Sequence, residues 1–305
     1  MRPANQQTLP RVLVVGADGQ LGRALHAQAS PSLSFSFVGR NTLDVTQSGS
    51  ITRLVDAYRP DLIINAAAMT DLDKAEARQE EAIAVNARAV QTLAQAAKNT
   101  GAAFLHFSTD QIFDGGLGRE YTETDHAAPL NIYGATKMLG EELAQLCCPR
   151  TAILRTSELH APWGRNSIRT ALTRAADGKS IPAASDRVFC PTSAQILAEA
   201  CMSIAPQLIA ADAYADHWGV THFASLGHCS EAELLSHAII LAGYPQSLID
   251  ARPLIDWPMK AARPACTPLE CCRMTRVFGI QPRTWQSHVA ETLSTSIRVG
   301  ETEAA

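Results

Sequence analysis

Short apolar runs alternate with longer stretches of helical periodicity along the first half of the chain. Residues 12–15 form a β-branched apolar run that ends at Gly16, as expected of a strand buried on both faces of a parallel sheet. Leu21, Leu25 and Ala29 then recur on one helical face. The same pattern predicts strands at 12–15, 34–38, 61–65, 103–108 and 151–155, and helices at 20–29, 51–58, 75–99 and 133–146.

Strands that alternate with helices at this spacing predict βαβ units, and therefore an α/β fold with a doubly wound parallel sheet. After residue 155, prolines interrupt the alternation and indicate short helices and loops. A helix at 193–204 and a strand at 220–225 are predicted to return to the sheet. We therefore expect a first domain over 1–157, joined by about 192–226, and a smaller C-terminal lobe over 158–305.

The composition narrows the class of protein. With 305 residues, of which 46% are hydrophobic and 18% charged, the chain can fill a core and is not disordered. Its net charge of −4 lacks the basic excess of a nucleic-acid binder, and no apolar run has the length of a membrane span. The eight cysteines lack metal-binding spacing, so we expect reduced thiols, no metal site and a cytoplasmic location. The oligomeric state stays open, a homodimer included.

Glycines at 16, 19 and 22 lie between the first predicted strand and helix. Gly16 and Gly19 permit a tight turn whose backbone N–H groups approach a pyrophosphate, and Gly22 permits close helix–strand packing. The flanking βαβ pattern favours a Rossmann dinucleotide site over the alternative, an ordinary strand–helix turn.

The end of the second strand bears on the choice of coenzyme. A carboxylate there binds the ribose 2′-hydroxyl of NAD and repels a 2′-phosphate. Residues 38–41 contain no carboxylate, whereas Arg40 is suited to a charged contact with the phosphate. We therefore expect NADPH, with NADH as the other coenzyme and an exposed surface arginine as the alternative interpretation of Arg40.

Tyr133 and Lys137 are four residues apart on a predicted helix, so they share a face. A nearby cation favours the phenolate and lowers the tyrosine pKa, which makes the phenol useful for proton transfer. Ser108 and Thr109 end the fourth predicted strand and supply hydroxyls that can orient a carbonyl.

These motifs resemble those of the extended short-chain dehydrogenases/reductases, and the chain is most similar to the dTDP-4-dehydrorhamnose reductase (RmlD-like) family. The matching segments are GADGQLG (16–22), LDVT (43–46), PDLIINAAAMTDLDKAE (60–76), VNA (85–87), FSTDQIFDG (107–115), APLNIYGATKMLGEE (128–142), LRTS (154–157) and CPT (190–192).

The resemblance implies an NAD(P)-binding first domain, a substrate-binding lobe and reduction of a sugar-nucleotide 4-ketone in deoxysugar biosynthesis. Tyr133 would protonate the developing alkoxide, Lys137 would lower the tyrosine pKa and bind the nicotinamide ribose, and Thr109 would polarise the carbonyl. It also places Asn86 behind the active-site helix. The predicted cofactor-binding residues are Gly16, Gly19, Gln20, Leu21, Gly22, Arg40, Asp44, Val45, Ala66, Ala67, Tyr133 and Lys137.

The chain departs from the family pattern on the substrate side. Gln111 stands where the family has tyrosine and related dehydratases have glutamate; because an amide is no base, a dehydratase is disfavoured. Glu158 begins the segment that usually reads Trp-Val-Tyr, and Arg187 and Phe189 change a glycine-containing segment. We expect Arg187 to offer a cation to an anionic substrate. The predicted substrate-binding residues are Ser108, Thr109, Gln111, Glu158, Asn166 and Arg187.

Three functions follow as hypotheses. The leading one is an NADPH-dependent reductase of a nucleotide-linked keto-deoxysugar. The second is a non-catalytic NADP(H)-binding regulatory or partner subunit, suggested by the altered substrate side. The third is a sugar-nucleotide epimerase, which Arg40 disfavours because epimerases of this kind hold NAD. An acidic run over 71–81 is expected to be mainly a solvated helix start, with a metal or subunit contact as the alternative.

Overall fold

A six-stranded parallel sheet forms the centre of the computed structural model, which describes residues 9–303 and side chains up to residue 295. The strand order is β10-β5-β4-β3-β1-β2. The strands are β1 (Arg11–Val15), β2 (Ser34–Val38), β3 (Leu62–Asn65), β4 (Ala103–Thr109), β5 (Thr151–Thr156) and β10 (Gly219–His222). The predicted doubly wound sheet is confirmed.

Helices cover both faces of this sheet. On one face α1 packs against α8, and on the other α2, α5 and α6 lie side by side. The helices of this region are α1 (Gln20–Ala27), α2 (Ser48–Tyr58), α3 (Leu72–Ala77), α4 (Gln79–Ile83), α5 (Ala89–Thr100), α6 (Ile132–Cys147) and α8 (Ala194–Ala210). Buried aliphatic residues of β1, β3 and β4 alternate between the two helical layers, which explains their continuous apolar runs.

The predicted single helix over 75–99 is wrong. The structure has α3, α4, a π-helical turn at Ala84–Arg88 and α5 in its place. Arg78 takes an extended φ of −135° between α3 and α4. In the π turn, the buried Asn86 bonds the backbone of Met69 and the hydroxyl of Thr136. Tertiary contacts to α6 therefore override the helical periodicity, as π turns often do near functional sites.

The remaining elements form a smaller lobe and its connections. A hydrophobic cluster joins α7, β7, α9 and α11, and it includes Ile168, Ile181, Leu234, Ile239 and Val289. The elements are β6 (Leu159–His160), α7 (Ser167–Ala176), β7 (Ile181–Ala184), β8 (Val188–Phe189), β9 (Thr192–Ser193), β11 (Cys229–Ser230), α9 (Glu231–Leu241), β12 (Ile249–Arg252), α10 (Cys272–Phe278) and α11 (Trp285–Glu303).

The C-terminal half also contributes to the main sheet. Strand β10 pairs in parallel with β5, which makes it the edge strand of the sheet. The strand is shorter than the predicted 220–225, and α8 runs six residues beyond the predicted end at 204. None of the helices in the described part of the chain is long and apolar enough to cross a bilayer. The division of the chain at residue 157 stays a prediction.

Candidate functional site

The glycine loop between β1 and α1 is as tightly packed as the motif predicts. Gly16 has a φ of +90°, and a Cβ there would lie 2.5 Å from the backbone nitrogen of Ala67. A Cβ on Gly22 would lie 2.2 Å from the carbonyl oxygen of Gly16. At Gly19 a Cβ would meet only the Gly16 carbonyl oxygen, at 3.4 Å. The loop therefore leaves open space over Gly19 at the start of α1, where first-turn N–H groups can bind a pyrophosphate.

Gln20 and Leu21 can contribute to dinucleotide binding through their backbone N–H groups at the start of α1. The Leu21 side chain is buried in the core beneath α1. The Gln20 side-chain oxygen accepts a hydrogen bond from Asn166 Nδ2 at 2.9 Å. The Gln20 backbone carbonyl accepts one from Trp163 Nε1 at 3.0 Å. Asn166 also caps α7 by accepting from the Arg169 backbone. The start of α1 is thus tied to the loop that enters the smaller lobe.

Replacing Gly22 with alanine tests this packing. The new Cβ would overlap the Gly16 carbonyl, so the loop must move. We expect Gly22→Ala to weaken NADP⁺ binding by about tenfold or more and to destabilise the fold by about 1–3 kcal/mol. Titration with NADP⁺ and urea unfolding measure the two effects. Gly49→Ala is the control, since Gly49 is exposed in α2 and its Cβ would meet only an arginine side chain; unchanged NADP⁺ binding in both variants would contradict the assignment.

The segment after β2 carries the other residues predicted near the adenosine. Arg40 is exposed, and its backbone N–H donates to Asp18 Oδ2 at 2.8 Å. The Asp44 carboxylate accepts from both the hydroxyl and the backbone of Thr46, and these bonds lower its pKa. Val45 packs on the core, while Ala66 and Ala67 lie against Gly16. Ala66, Ala67 and the Arg40 backbone therefore contact the glycine loop, and Asp18 is a loop residue that was not predicted.

Thr109 and Tyr133 come together at the carboxyl end of β4. Thr109 ends the strand, Tyr133 lies in the first turn of α6, and their side chains share a hydrogen bond. Burial raises the pKa of Tyr133 to about 12, the Thr109 bond opposes that shift, and the charge of Asp110 adds to it. The expected lowering of the tyrosine pKa by Lys137 is therefore corrected: burial dominates the shift, and the phenol is protonated at neutral pH but is a weaker acid than a free tyrosine.

Lys137 lies one helical turn beyond Tyr133 and points at β4. Its Nζ donates to the Phe107 carbonyl at 2.5 Å and lies 3.2 Å from His106 Nε2. Burial lowers the pKa of Lys137 to about 8, and the Glu141 charge opposes this shift. The lysine is therefore still mainly a cation at pH 7, but it titrates just above neutrality.

His106 is a neighbour of Lys137 that the sequence analysis missed. Asn65 Oδ1 accepts from the Ala67 backbone, so its Nδ2 donates to His106 Nδ1 at 3.2 Å. Burial and the Lys137 charge hold the pKa of His106 well below its usual range. The ring is therefore neutral, and it lies between the Asn65 amide and the Lys137 ammonium. The only sequence signal was a histidine within a buried strand.

Helix α6 is held against the sheet by close contacts. A Cβ on Gly134 would lie 2.1 Å from the Gln111 carbonyl oxygen, and one on Gly140 would lie 2.2 Å from that of Asn86. Arg155 of β5 forms a buried two-pronged ion pair with Glu141 of α6. These contacts fix the height and direction of Tyr133 and Lys137 over β4. The Asn86–Thr136 bond agrees with the supporting position that the resemblance implied for Asn86.

Asp110 is a second residue that the sequence analysis missed. Its buried carboxylate accepts hydrogen bonds from Ser157 at 2.7 Å, Thr267 at 2.9 Å and Thr109 at 3.1 Å. Burial raises the pKa of Asp110, and the three hydroxyls oppose the shift. The carboxylate joins the ends of β4 and β5 to the C-terminal half and positions Thr109.

Arg187 and Glu158 form a buried charge cluster with Glu231. Arg187 lies 2.8 Å from Glu158 and 3.7 Å from Glu231, and its guanidinium stacks on Phe189. Glu158 also accepts from Ser167 at 2.7 Å. Burial raises the pKa of Glu231; for Glu158, Arg187 and Ser167 outweigh burial and lower the pKa. Arg187 thus has two carboxylate partners for its one charge, and its expected role as a cation for substrate stays a prediction.

The other predicted substrate residues occupy different positions. Ser108 Oγ is buried and has no hydrogen-bond partner among the described residues, and the same holds for Thr156 Oγ1 on β5. Gln111 is buried, and its Oε1 accepts from Asn131, the cap of α6, at 3.4 Å. A polar ligand at the ends of β4 and β5 would supply the missing partners of the two hydroxyls.

A cavity of about 440 Å³ lies between the start of α3 and the smaller lobe. Asn166 and Glu231 line it, whereas Thr109 and Tyr133 do not. Its polar rim also contains Asp71, Arg165, Ser167 and Arg174. The structure thus brings Glu158, Asn166 and Arg187 to the vicinity of this cavity through Ser167 and Glu231, and keeps Ser108, Thr109 and Gln111 at the sheet end.

The acidic run is partly engaged in the fold. Asp71 caps α3 by accepting from the Lys74 backbone. Asp73 accepts from the backbone of Ala261 and from Arg263, both at 3.1 Å, and these bonds lower its pKa. The loop around residue 262 is therefore fastened over α3, and Asn131 of α6 donates to the Ala262 carbonyl beside it.

Comparison with known proteins matches most of the chain. The family described as RmlD substrate binding domain matches residues 10–297. A dTDP-4-dehydrorhamnose reductase of Sinorhizobium fredii is 33% identical over 280 residues, which cover 90% of this chain and 94% of that protein. One from Aggregatibacter actinomycetemcomitans is 34% identical, with 91% and 96% covered. The crystal structure of dTDP-4-dehydrorhamnose reductase from Bacillus anthracis in complex with NADP superposes with a TM-score of 0.87 at 27% identity and covers 94% of this chain and all of that one.

Proposed function

We propose, from the premise that this chain belongs to the RmlD-type dTDP-4-dehydrorhamnose reductase family, that it is an NADPH-dependent reductase of a nucleotide-linked 4-keto-deoxysugar. The observation that carries the proposal is that Thr109, Tyr133 and Lys137 lie together at the carboxyl end of β4. The glycine loop follows β1 at the same edge of the parallel sheet. The reaction would serve deoxysugar or polysaccharide biosynthesis in the cytoplasm.

Each catalytic group suits its assigned step. NADPH, when bound, supplies the hydride that reduces the keto carbon. Tyr133 donates its proton to the developing alkoxide, a base strong enough to take the proton even from a phenol whose pKa burial has raised. The Thr109 hydroxyl would polarise the carbonyl by turning its one hydrogen from Asp110 to the carbonyl oxygen, while the Gln111 backbone N–H keeps donating to its oxygen. The Lys137 cation stabilises the phenolate left behind and binds a ribose hydroxyl.

The glycine loop and the segment after β2 would hold the coenzyme. Gly16, Gly19 and Gly22 leave the space that a pyrophosphate requires, and the exposed Arg40 is available for a 2′-phosphate. In the relative from Bacillus anthracis, NADP is the bound molecule. The smaller lobe, with Glu158, Asn166 and Arg187 near its cavity, would enclose the sugar nucleotide.

A second function is favoured by one observation. Glu158 and Arg187 form an ion pair with each other, so this arginine is not free to bind a nucleotide diphosphate. A non-catalytic NADP(H)-binding partner subunit of the same family is therefore the competing hypothesis.

An assay of ketone reduction distinguishes the reductase from the non-catalytic partner subunit. The purified chain is mixed with NADPH and dTDP-4-dehydrorhamnose, and loss of reduced nicotinamide absorbance is followed beside calorimetric NADP⁺ binding. The UDP-linked 4-keto-6-deoxysugar is tested in parallel. Stoichiometric NADPH oxidation with either ketone supports the reductase. Tight NADP⁺ binding without oxidation of NADPH by either ketone would reject it in favour of the partner subunit.

A further inference from the structure

We propose that the Asp18 carboxylate is a coenzyme-specificity determinant that opposes Arg40 and lowers the preference of the site for NADP⁺ over NAD⁺. The inference rests on the proposed function, because it concerns the dinucleotide site that the function requires. It changes the expectation drawn from the strand end alone, where residues 38–41 contain no acid.

The position of Asp18 is set from two sides. It lies between Gly16 and Gly19 in the loop, and its Oδ2 accepts from the Arg40 backbone N–H at 2.8 Å. A Cβ on Gly39 would lie 2.2 Å from Asp18 Oδ2 and 2.4 Å from Oδ1. Glycine at position 39 is therefore what allows the carboxylate to lie against the end of β2. A carboxylate from the loop thus occupies the place where other Rossmann proteins supply one from the strand.

Several hydrogen bonds hold the turn that follows β2 in place. Gly39 N–H donates to Thr42 Oγ1 at 3.1 Å, and that hydroxyl donates back to the Gly39 carbonyl at 3.0 Å. The Thr42 and Leu43 backbones also donate to the Gly39 carbonyl. The contact partner of Asp18 is therefore a fixed backbone and not a mobile side chain.

The chemistry of this carboxylate favours a hydroxyl over a phosphate. The Arg40 backbone N–H donates to Oδ2 of Asp18 and leaves Oδ1 for another donor. An adenosine ribose at the end of β2 can donate its 2′-hydroxyl to such an oxygen. A 2′-phosphate brings like charge to the same place, and Arg40 can compensate it. Because Asp18 and Arg40 act in opposite directions at one site, we expect only a small preference for one dinucleotide over the other.

Binding of oxidised coenzymes tests the inference without turnover. Asp18→Asn keeps the acceptor for the Arg40 N–H and removes the charge. For the unaltered chain we expect Kd values for NADP⁺ and NAD⁺ within about tenfold of each other, and Asp18→Asn should raise the preference for NADP⁺ by about tenfold, as expected for one charge contact at an exposed site. Arg40→Gln should shift the ratio by a similar factor toward NAD⁺. Isothermal titration calorimetry at low salt measures all four values, and the effect should shrink at high salt.

Asp56→Asn is the matched control, because Asp56 is an exposed carboxylate on α2 and its side chain takes no part in the proposed site. It should leave the ratio of the two Kd values unchanged. An unchanged ratio in Asp18→Asn, or the same shift in Asp56→Asn, would overturn the role of Asp18. A chain that binds neither dinucleotide would overturn the proposed function itself, whereas one that binds both without reducing a ketone would leave the Asp18 result readable and reject only the catalytic assignment.

Discussion

Tyr133→Phe should lower kcat for ketone reduction by about 10² to 10⁴, the range typical of a lost general acid. The ring fills the same buried space, so the fold and NADP⁺ binding should be retained. The variant removes the phenolic hydroxyl, and with it the proton to be donated, and leaves the ring in place. Stopped-flow or steady-state NADPH oxidation gives kcat, and calorimetric titration gives the Kd for NADP⁺.

Tyr121→Phe is a matched control for this substitution. Tyr121 is also buried, but its hydroxyl donates to Asp114 at 2.7 Å, away from Thr109 and Lys137. It should lose about 1 kcal/mol of stability and keep its kcat within a factor of about two, since a remote hydrogen bond does not enter the proton-transfer barrier. If Tyr133→Phe turned over as fast as Tyr121→Phe, another group would have to be the acid.

The parts of the fold that were predictable from sequence depend on local patterns. Buried parallel strands are short apolar runs, and the glycines at 16, 19 and 22 follow one of them directly. The structure has the predicted strands within a few residues and the glycine contacts that the spacing implies. Tyr133 and Lys137 could be placed on one face because four residues are about one helical turn. Local geometry was sufficient in each case.

Contacts between distant segments could not be found in this way. Asp110 binds Thr267 across more than 150 residues, and Glu231 reaches Arg187 from the start of α9. The break in the predicted 75–99 helix has the same origin, since Asn86 and Glu76 bond residues of other segments. Burial, which sets the pKa of Lys137, is also a property of the whole fold. Periodicity carries no information on these partners.

The cluster of Arg187, Glu158 and Glu231 illustrates how such contacts change an interpretation. From sequence, Arg187 was expected to offer a cation to the substrate, and Glu158 was one of the predicted substrate-binding residues. In the structure they lie 2.8 Å apart, with side chains 14% and 23% exposed. They therefore act first on each other, and Glu231, the second carboxylate beside Arg187, lines the cavity.

Arg187→Met should accordingly destabilise the protein by about 3–5 kcal/mol at pH 8, because it leaves buried carboxylates without their cation. Urea unfolding gives the free energy of unfolding. Arg165→Met is the control: Arg165 lies on the same cavity, but its side chain is 91% exposed and 3.8 Å from Asp71, so a change under about 0.5 kcal/mol is expected.

The pH dependence of the stability lost in Arg187→Met, called the deficit below, identifies the cause of that loss. Without the guanidinium, burial and mutual repulsion raise the folded-state pKa values of Glu158 and Glu231 above the unfolded value of about 4.3. The folded variant then binds more protons than the unfolded chain, so its stability relative to the unaltered protein increases as the pH falls through those raised pKa values. The deficit should thus be largest at pH 8 and shrink toward pH 5. A deficit that is the same at both values would mean that lost packing on Phe189, and not an unpaired charge, is what the arginine supplies.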